Sequence, residues 1–414
     1  MAKSSNPVRG TRDILPKEMA IRDEIEAKIL NTYRVHGFER IETPAIESLE
    51  LLLDSEGGEN LKMLYTILKR GEKLNLKENA SIAEICDIGL RYDLTLPLSR
   101  FYSNNKQELS FPFKSIQIGN VYRAERPQKG RFRSFKQCDI DIIGDDSWCA
   151  EVELIDTTAK ALKAIGLENF TVRINDRRIL SEMIVFSGYD DSQVEQVSII
   201  LDKKDKIERT GVIRELEELP QGRDAAIKLV DMTESLDAKS LEASRFSSEA
   251  VKGLLRTVEA IKDLAGVDFK IEFDPTLVRG MGYYTGMIFE VAYGPYGFSI
   301  AGGGRYDGLI GKFSKESVPA VGFSIGFERI VSIMMEEDMD IKSENKRLAL
   351  LYDEDKEISK VIRQAEALRS KGYMVTVAKA KKKLGKQIGQ LEASGFGYLW
   401  VYGRDTEEKK LGKD

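Results

Sequence analysis

Between Val121 and Gly144 the chain reads VYRAERPQKGRFRSFKQCDIDIIG. This stretch gathers Arg123, Arg126, Lys129, Arg131 and Arg133 around Pro127 and Gly130, between two runs that alternate as strands do. In the first run Ile116, Ile118 and Tyr122 fall on one face, with Gln117 and Arg123 on the other. In the second, Cys138, Ile140 and Ile142 face one way, while Gln137, Asp139 and Asp141 face the other. The pattern predicts a hairpin with a basic loop and a polar, acidic row along its second strand. Such a surface can hold phosphate beside a group that carries positive charge or N–H donors. A lone arginine-rich loop is also compatible with a solvated basic turn, so the loop gains meaning only from its neighbours in the sequence.

Those neighbours favour the first reading. The segment resembles the second signature motif of class II aminoacyl-tRNA synthetases, and specifically that of the histidyl-tRNA synthetases, for which ERPQKGR is characteristic. Further segments match the same family in the same order: LRYDLTLPLSR (Leu90 to Arg100), LVRGMGYYTGMIFEV (Leu277 to Val291), AGGGRYDGL (Ala301 to Leu309) and PAVGFSIGFERI (Pro319 to Ile330). The opening VRGTRDILP and the stretch GFERIETPAIE, which fits the family's first motif, agree with them.

The resemblance implies activation of an amino acid by ATP, in which a carboxylate attacks the α-phosphate. Two anions must meet, so fixed positive charge should dominate the site over acid–base groups. Arg123 resembles the arginine that holds the α-phosphate and the amino acid carboxylate. Arg329 resembles the one on the γ-phosphate, and Arg279 an arginine peculiar to the family at the α-phosphate; Arg305 is grouped with them as an ATP contact. Asp93, Thr95 and Gln137 match positions that hold the α-amino group of histidine. Asp141 and Tyr284 match those that bracket its imidazole. Tyr283, Arg305 and Tyr306 lie in matched segments, either as pocket lining or as core aromatics and a turn arginine. For tRNA, Arg126 and Gln128 match loop positions that meet the end of the acceptor stem. Lys381, Lys382 and Lys383 cluster ahead of a helix where anticodon-arm phosphates are expected. ATP with Mg²⁺ is expected as a substrate complex, with no tightly bound cofactor and no metal site of the protein's own. tRNA(His) and a second copy of the chain, joined partly around Pro44, are the implied partners.

Composition sets the frame that must position these groups. At 414 residues the chain is too long for one core, and two to three domains are expected. With 42% hydrophobic and 32% charged residues, no long apolar run and no signal-like start, it reads as a soluble, cytoplasmic protein without a membrane segment. Three cysteines without a CxxC pair and the single histidine His36 leave little room for a disulfide frame, a zinc site or a histidine general base. The net charge of −5 hides a tail from 341 to 414 with 17 Lys and Arg against 11 Asp and Glu, the balance a nucleic-acid grip needs.

Along the chain, Ile21, Ile25, Ile29 and Tyr33 predict an amphipathic helix over 17–36, opened by Pro16 and stopped by Gly37. A strand over Phe38 to Glu42 follows, then a charged region from Ser55 to Ser81 read as a helix and a small hairpin. Residues from about Asp176 to Leu264 read as helical, and strands return from Phe269 to Gly304. A helix is expected from Gly322 to Glu337, with Gly322 and Gly326 leaving a flat strip. In the tail, strand and helix alternate: Leu348 to Tyr352, Ile358 to Lys371, Tyr373 to Ala378, Leu384 to Ala393, Tyr398 to Tyr402. The expected class is therefore α+β: a class II antiparallel-sheet catalytic domain (1–175 and 265–337), a helical insertion (176–264), and a C-terminal α/β anticodon-binding domain (338–414).

Four features depart from the common pattern of the family. Gly282 replaces an aspartate, Lys136 an aromatic or histidine, and Asp141 the longer Glu of many bacterial forms. The tail also ends soon after the strand at Tyr402. The rival reading is a catalytically inactive, synthetase-like regulatory subunit of ATP phosphoribosyltransferase, which shares the fold but lacks the tail domain and usually the arginines. Arg123, Arg279, Arg329 and the basic tail favour the enzyme.

Overall fold

The computed structural model describes residues 5–53, 63–74, 80–126, 131–265, 269–279, 282–294, 299–313, 316–337 and 346–411. The chain divides into two compact units, one of Met1–Asp13 with Ile25–Met339 and one of Ile14–Glu24 with Asp340–Asp414.

In the larger unit the strands are β1 (Glu39–Arg40), β2 (Ile46–Ser48), β3 (Tyr65–Leu68), β4 (Cys86–Leu90), β5 (Phe113–Tyr122), β6 (Ser134–Ile143), β7 (Phe170–Asp176), β8 (Lys270–Phe273), β9 (Met287–Tyr293), β10 (Ser299–Arg305) and β11 (Ala320–Gly326). Eight of them form one sheet in the order β1-β5-β6-β11-β10-β9-β7-β8, and β2-β4-β3 form a small second sheet. Antiparallel pairs dominate the large sheet; only β1 with β5 and β7 with β8 run parallel. The predicted hairpin is present as β5 and β6, paired from Phe113 opposite Ile143 to Tyr122 opposite Ser134.

Period-2 alternation gives this sheet two different faces. Cys138, Ile140 and Ile142 on β6 and Phe323 and Ile325 on β11 point to the buried side. That side is covered by α5 (Cys149–Ala164), α11 (Ser248–Ala265) and α12 (Phe327–Glu336). The opposite side is the floor of the candidate site. α1 (Pro16–Val35) buries Ile25, Ile29 and Tyr33 of the predicted stripe, with Ile21 half-buried. Between β7 and β8 the chain makes a helical excursion: α6 (Arg177–Phe186), α7 (Val194–Leu201), α8 (Lys204–Glu217), α9 (Gly222–Ser235), α10 (Ala238–Glu242) and α11.

One sequence expectation fails here. Residues Ala320–Gly326 are strand β11, and the helix begins only at Phe327. AVGFSIG alternates small and apolar residues with period 2, and the apolar residues of FERIVSIMM that follow carry the helical period; reading both as one helix merged two periods. Gly322 and Gly326 therefore lie on a strand and form no helical strip. Of the predicted helix and hairpin in 55–81, the described part holds β3, paired with β4, and the short α3 (Ile82–Ile85) just beyond; residues 54–62 and 75–79 lie outside the described residues.

The smaller unit holds a sheet ordered β13-β12-β14-β15, with β12 (Arg347–Tyr352), β13 (Met374–Lys379), β14 (Tyr398–Val401) and the two-residue β15 (Lys409–Lys410). The first three strands are parallel, as predicted, and β15 adds an antiparallel edge that the sequence did not signal. α13 (Ile358–Arg369) and α14 (Leu384–Ala393) cover its two faces through separate apolar clusters.

A buried ion pair ties α5 to β10. Arg305 donates from Nε and Nη2 to the two carboxylate oxygens of Glu151 at 2.6 and 2.7 Å, and its remaining N–H groups reach Asp307 and the carbonyls of Asp145 and Ser147. Removing one partner leaves an uncompensated buried charge, which costs about 3–5 kcal/mol. Glu151→Ala is therefore expected to lower the melting temperature by many degrees, whereas a mutation of the exposed Glu195 is not. Equal melting temperatures for both variants would refute this assignment.

Candidate active site

The floor of the site follows from register. On β6, Gln137, Asp139 and Asp141 share one face; Gly119, Gln117 and Ser115 lie opposite them on β5, and Gly326, Ser324 and Gly322 on β11. The row continues through Gly302 and Gly304 on β10 to Glu290 on β9. At two of these places a charged side chain lies against bare backbone. A Cβ on Gly322 would sit 2.0 Å from Oδ1 of Asp141, and one on Gly302 would sit 2.3 Å from Nη1 of Arg279. Tyr284 lies over Gly304, next to Gly322 in the sheet, so its ring and the Asp141 carboxylate converge.

One half of the site is acidic and buried. Asp93, Asp139 and Asp141 are 4, 4 and 2% exposed. Asp93 stands at the turn into α4 (Thr95–Asn105), where its Oδ1 accepts from the N–H of Leu96 at 3.2 Å. Tyr283 hydrogen-bonds to both Thr95 and Asp93. The Tyr306 hydroxyl donates to Oδ1 of Asp141 at 2.7 Å, and Nε2 of Gln137 donates to Oγ of Ser324 at 2.7 Å. Tyr283 packs against Tyr284 and Tyr306 at ring-centroid distances of 4.9 and 5.9 Å. Four buried acceptor atoms find no partner: Oδ2 of Asp93, Oε1 of Gln137, Oδ1 of Asp139 and Oδ2 of Asp141. Buried polar atoms are normally satisfied, so this set awaits donors from a ligand.

Burial raises the pKa of Asp93 to about 6, against the opposing pull of the Leu96 N–H and Arg123. Burial likewise raises Asp141 to about 7, opposed by the Tyr306 hydroxyl and helped by Asp93. Asp139 is pushed well above the carboxylate range by burial and by the charge of Asp141. The sequence reading had not singled out Asp139 as a site residue, although its place on the polar face between Gln137 and Asp141 was the available signal.

The other half is cationic. Arg123 follows β5, donates from Nε to the Tyr92 carbonyl at 3.0 Å and lies over the Phe135 ring. Arg279 donates to Glu290 at 2.8 Å, while its own Nε is buried without a partner. Burial opposes the charge on Arg279, and the nearby Tyr284 and Glu290 more than offset it, so its pKa rises. Arg329, in the first turn of α12, donates to the Ser299 carbonyl. Burial lowers its pKa, and the positive charges of Arg131, Arg279 and Arg123 lower it further against Glu290. These guanidinium groups thus repel one another across a shared space, an arrangement that a polyanion relieves.

Other predicted residues stand elsewhere. Arg305 is expected at ATP, yet the Glu151 pair, Asp307 and two carbonyls take up its five N–H groups. It is corrected here to a buried structural arginine, because a guanidinium with every donor spent has none for phosphate. Arg126 is exposed at the end of the described loop, and Gln128 lies outside the described residues. Lys381, Lys382 and Lys383 are exposed between β13 and α14 in the smaller unit. Lys136, one of the departures, pairs with Glu26 and lies over the Phe327 ring. Among the described residues, no group of three or more His, Cys, Asp or Glu is arranged to hold a metal ion, and no helix is long and apolar enough to cross a membrane.

The buried acids generate a pH prediction. Their folded pKa values lie above the unfolded value of 3.8, so the folded state binds more protons between about pH 4 and 7 and loses stability as pH rises through that window. Asp141→Asn removes one such group and keeps the acceptor for Tyr306. At pH 8 this variant is expected to be more stable than the parent by about 2 kcal/mol or more. A lower melting temperature for the variant at pH 8 would contradict the assignment.

Comparison with known proteins places this geometry in a family. The family described as histidyl-tRNA synthetase matches residues 10–330. The histidine–tRNA ligase of Leifsonia xyli is 40% identical over 425 residues, covering 98% of this chain and 97% of its own length. That of Christiangramia forsetii is 32% identical over 433 residues, covering 99% and 94%. Among solved structures, the histidyl-tRNA synthetase from Nostoc matches with a TM-score of 0.78 at 25% identity, over 96% of this chain and 91% of the other. A Bacillus halodurans protein, described as an ATP phosphoribosyltransferase regulatory subunit/histidyl-tRNA synthetase, matches with the same TM-score at 20% identity, over 97% and 99%, and so shares the fold. With its motifs in order, its eight-stranded sheet and full-length relatives at this identity, the chain belongs to the histidyl-tRNA synthetase family.

Proposed function

We propose that this protein is a histidine–tRNA ligase that works through histidyl-adenylate. The observation that carries the reading is the juxtaposition described above: buried acceptors without donors beside mutually repelling guanidinium groups. An amino acid with a cationic amine and an N–H-bearing side chain satisfies the first half, and ATP satisfies the second. The histidine carboxylate attacks the α-phosphate, diphosphate leaves, and the adenylate then passes its histidyl group to the terminal ribose of tRNA(His), releasing AMP.

In this reading Arg123 holds the α-phosphate and the carboxylate, Arg279 the α-phosphate and Arg329 the γ-phosphate. Fixed charges placed where negative charge develops are the largest lever available for such a reaction. Mg²⁺ enters with ATP as part of the substrate. Asp93, Thr95 and Gln137 take the α-amino group, with Tyr283 fixing Thr95 and Asp93. Asp141 and Tyr284 bracket the imidazole, the carboxylate accepting from one ring nitrogen. A pocket of paired polar groups rejects ligands that leave it unsatisfied far more strongly than an apolar pocket does.

Arg126 and Gln128 meet the acceptor end of the tRNA, the helical excursion of 176–264 packs beside the acceptor arm, and the α/β unit reads the anticodon arm with Lys381, Lys382 and Lys383. The protein works in the cytoplasm as a homodimer built partly through the segment around Pro44. The regulatory-subunit alternative is less well supported, since its likeness is one of fold, whereas the relatives at 32 to 40% identity carry the ligase name.

The decisive assay is ATP–diphosphate exchange with each amino acid in turn, without tRNA. Exchange with histidine alone is expected. Absence of exchange in a protein that still binds histidine would favour the regulatory role. For the tRNA grip, replacing Lys381, Lys382 and Lys383 by Ala is expected to reduce the slope of log affinity against log salt by roughly two to three. An unchanged slope would remove these lysines from the interface.

A further inference from the structure

Asp139 is the one buried carboxylate of the site to which the reading above gives no task. It lies in the middle of β6 between Gln137 and Asp141, with Gln117 opposite on β5 and Ser324 opposite on β11. It is 4% exposed, and its Oδ1 has no partner. Ser324, opposite Asp139 on β11, accepts from Nε2 of Gln137 at 2.7 Å. An α-ammonium group has three N–H donors and no acceptor. Oδ2 of Asp93, Oε1 of Gln137 and Oδ1 of Asp139 are three unpartnered acceptors, while Oδ2 of Asp141 remains for the ring N–H.

We propose that Asp139 is a further acceptor for the α-ammonium of the bound amino acid, beside Asp93, Thr95 and Gln137. This inference rests on the ligase reading. The charged and titratable groups around Asp139 are Asp141 on its own strand, Asp93 and Arg91 near the turn into α4, and Arg123 after β5. Tyr284 approaches from the segment before β9, and Tyr33 and Cys138 also sense its charge. Burial and the charge of Asp141 raise the pKa of Asp139, and a cation placed beside it lowers it again. With the ammonium in place, Oδ1 of Asp139 accepts an N–H from it, and the neighbouring positive charge favours the carboxylate over the acid. Histidine binding therefore releases protons from this group, and a chain without its carboxyl releases fewer.

The test is titration calorimetry of the full chain with L-histidine at pH 8, in buffers of different ionisation enthalpy. The parent is compared with Asp139→Asn, and with Asp139→Ser should the first variant not fold. The parent is expected to release more protons per site than the variant and to bind histidine about ten- to a hundredfold more tightly, the range for one charge-assisted hydrogen bond. Equal proton counts and equal affinities would overturn the inference and leave Asp139 a buried structural acid. A parent that binds no histidine would instead overturn the ligase reading itself.

Discussion

The constraint on which the rest of this structure depends is the cost of crowding ionisable groups of one sign together in a buried place. Carboxylates in such a place climb in pKa until they neutralise or find a cation, and Asp93, Asp139 and Asp141 have all climbed. Beside them, Arg329 and its companions bear the opposite strain. The two halves do not cancel through ion pairs with each other; Arg279 takes Glu290, and Asp141 takes the neutral hydroxyl of Tyr306. The empty site therefore stores an imbalance that the fold must hold in place by other means.

Those means are visible in the layers beneath and beside the site. The far face of the sheet is a continuous apolar core of Cys138, Ile140, Ile142, Phe323 and Ile325 under α5, α11 and α12. It holds β6 and β11 in register, so each acid stands opposite a small or hydroxylated partner. At the end of β10, the Arg305–Glu151 pair stands beside Tyr306, whose hydroxyl holds Asp141. A satisfied buried charge next to an unsatisfied one is a division of labour within two consecutive residues: one fixes the frame, the other orients the acid.

Much of this was legible in the sequence, and the misses have identifiable physical causes. The hairpin, the parallel tail sheet and the polar face of β6 followed from alternation, because a half-buried strand must place unlike residues on its two faces. The same alternation in AVGFSIG went unread, since glycines at every second place look as much like a helix groove as like a strand face. Arg305 looked like an ATP ligand because nothing in GGGRYDGL reveals a glutamate more than 150 residues earlier in the chain that takes up its donors. Asp139 passed unnoticed for the opposite reason. Its value comes from having no partner, a property that only the assembled surroundings define. The edge strand β15 is two residues long and carries no periodicity to read.

The glycines of the floor have a consequence for how such a pocket can change. The addition of one carbon at residue 322 would overlap the Asp141 carboxylate, and at residue 302 the Arg279 guanidinium, so either change has to displace a side chain of the site. The acidic strand and the tyrosine segment at 283–284 supply side chains rather than backbone, and are the places where the pocket can be altered one group at a time. Adaptability is concentrated in a few places, and the same bareness that lets the arginine and the aspartate approach the sheet ties any change in the floor to a shift of those two side chains.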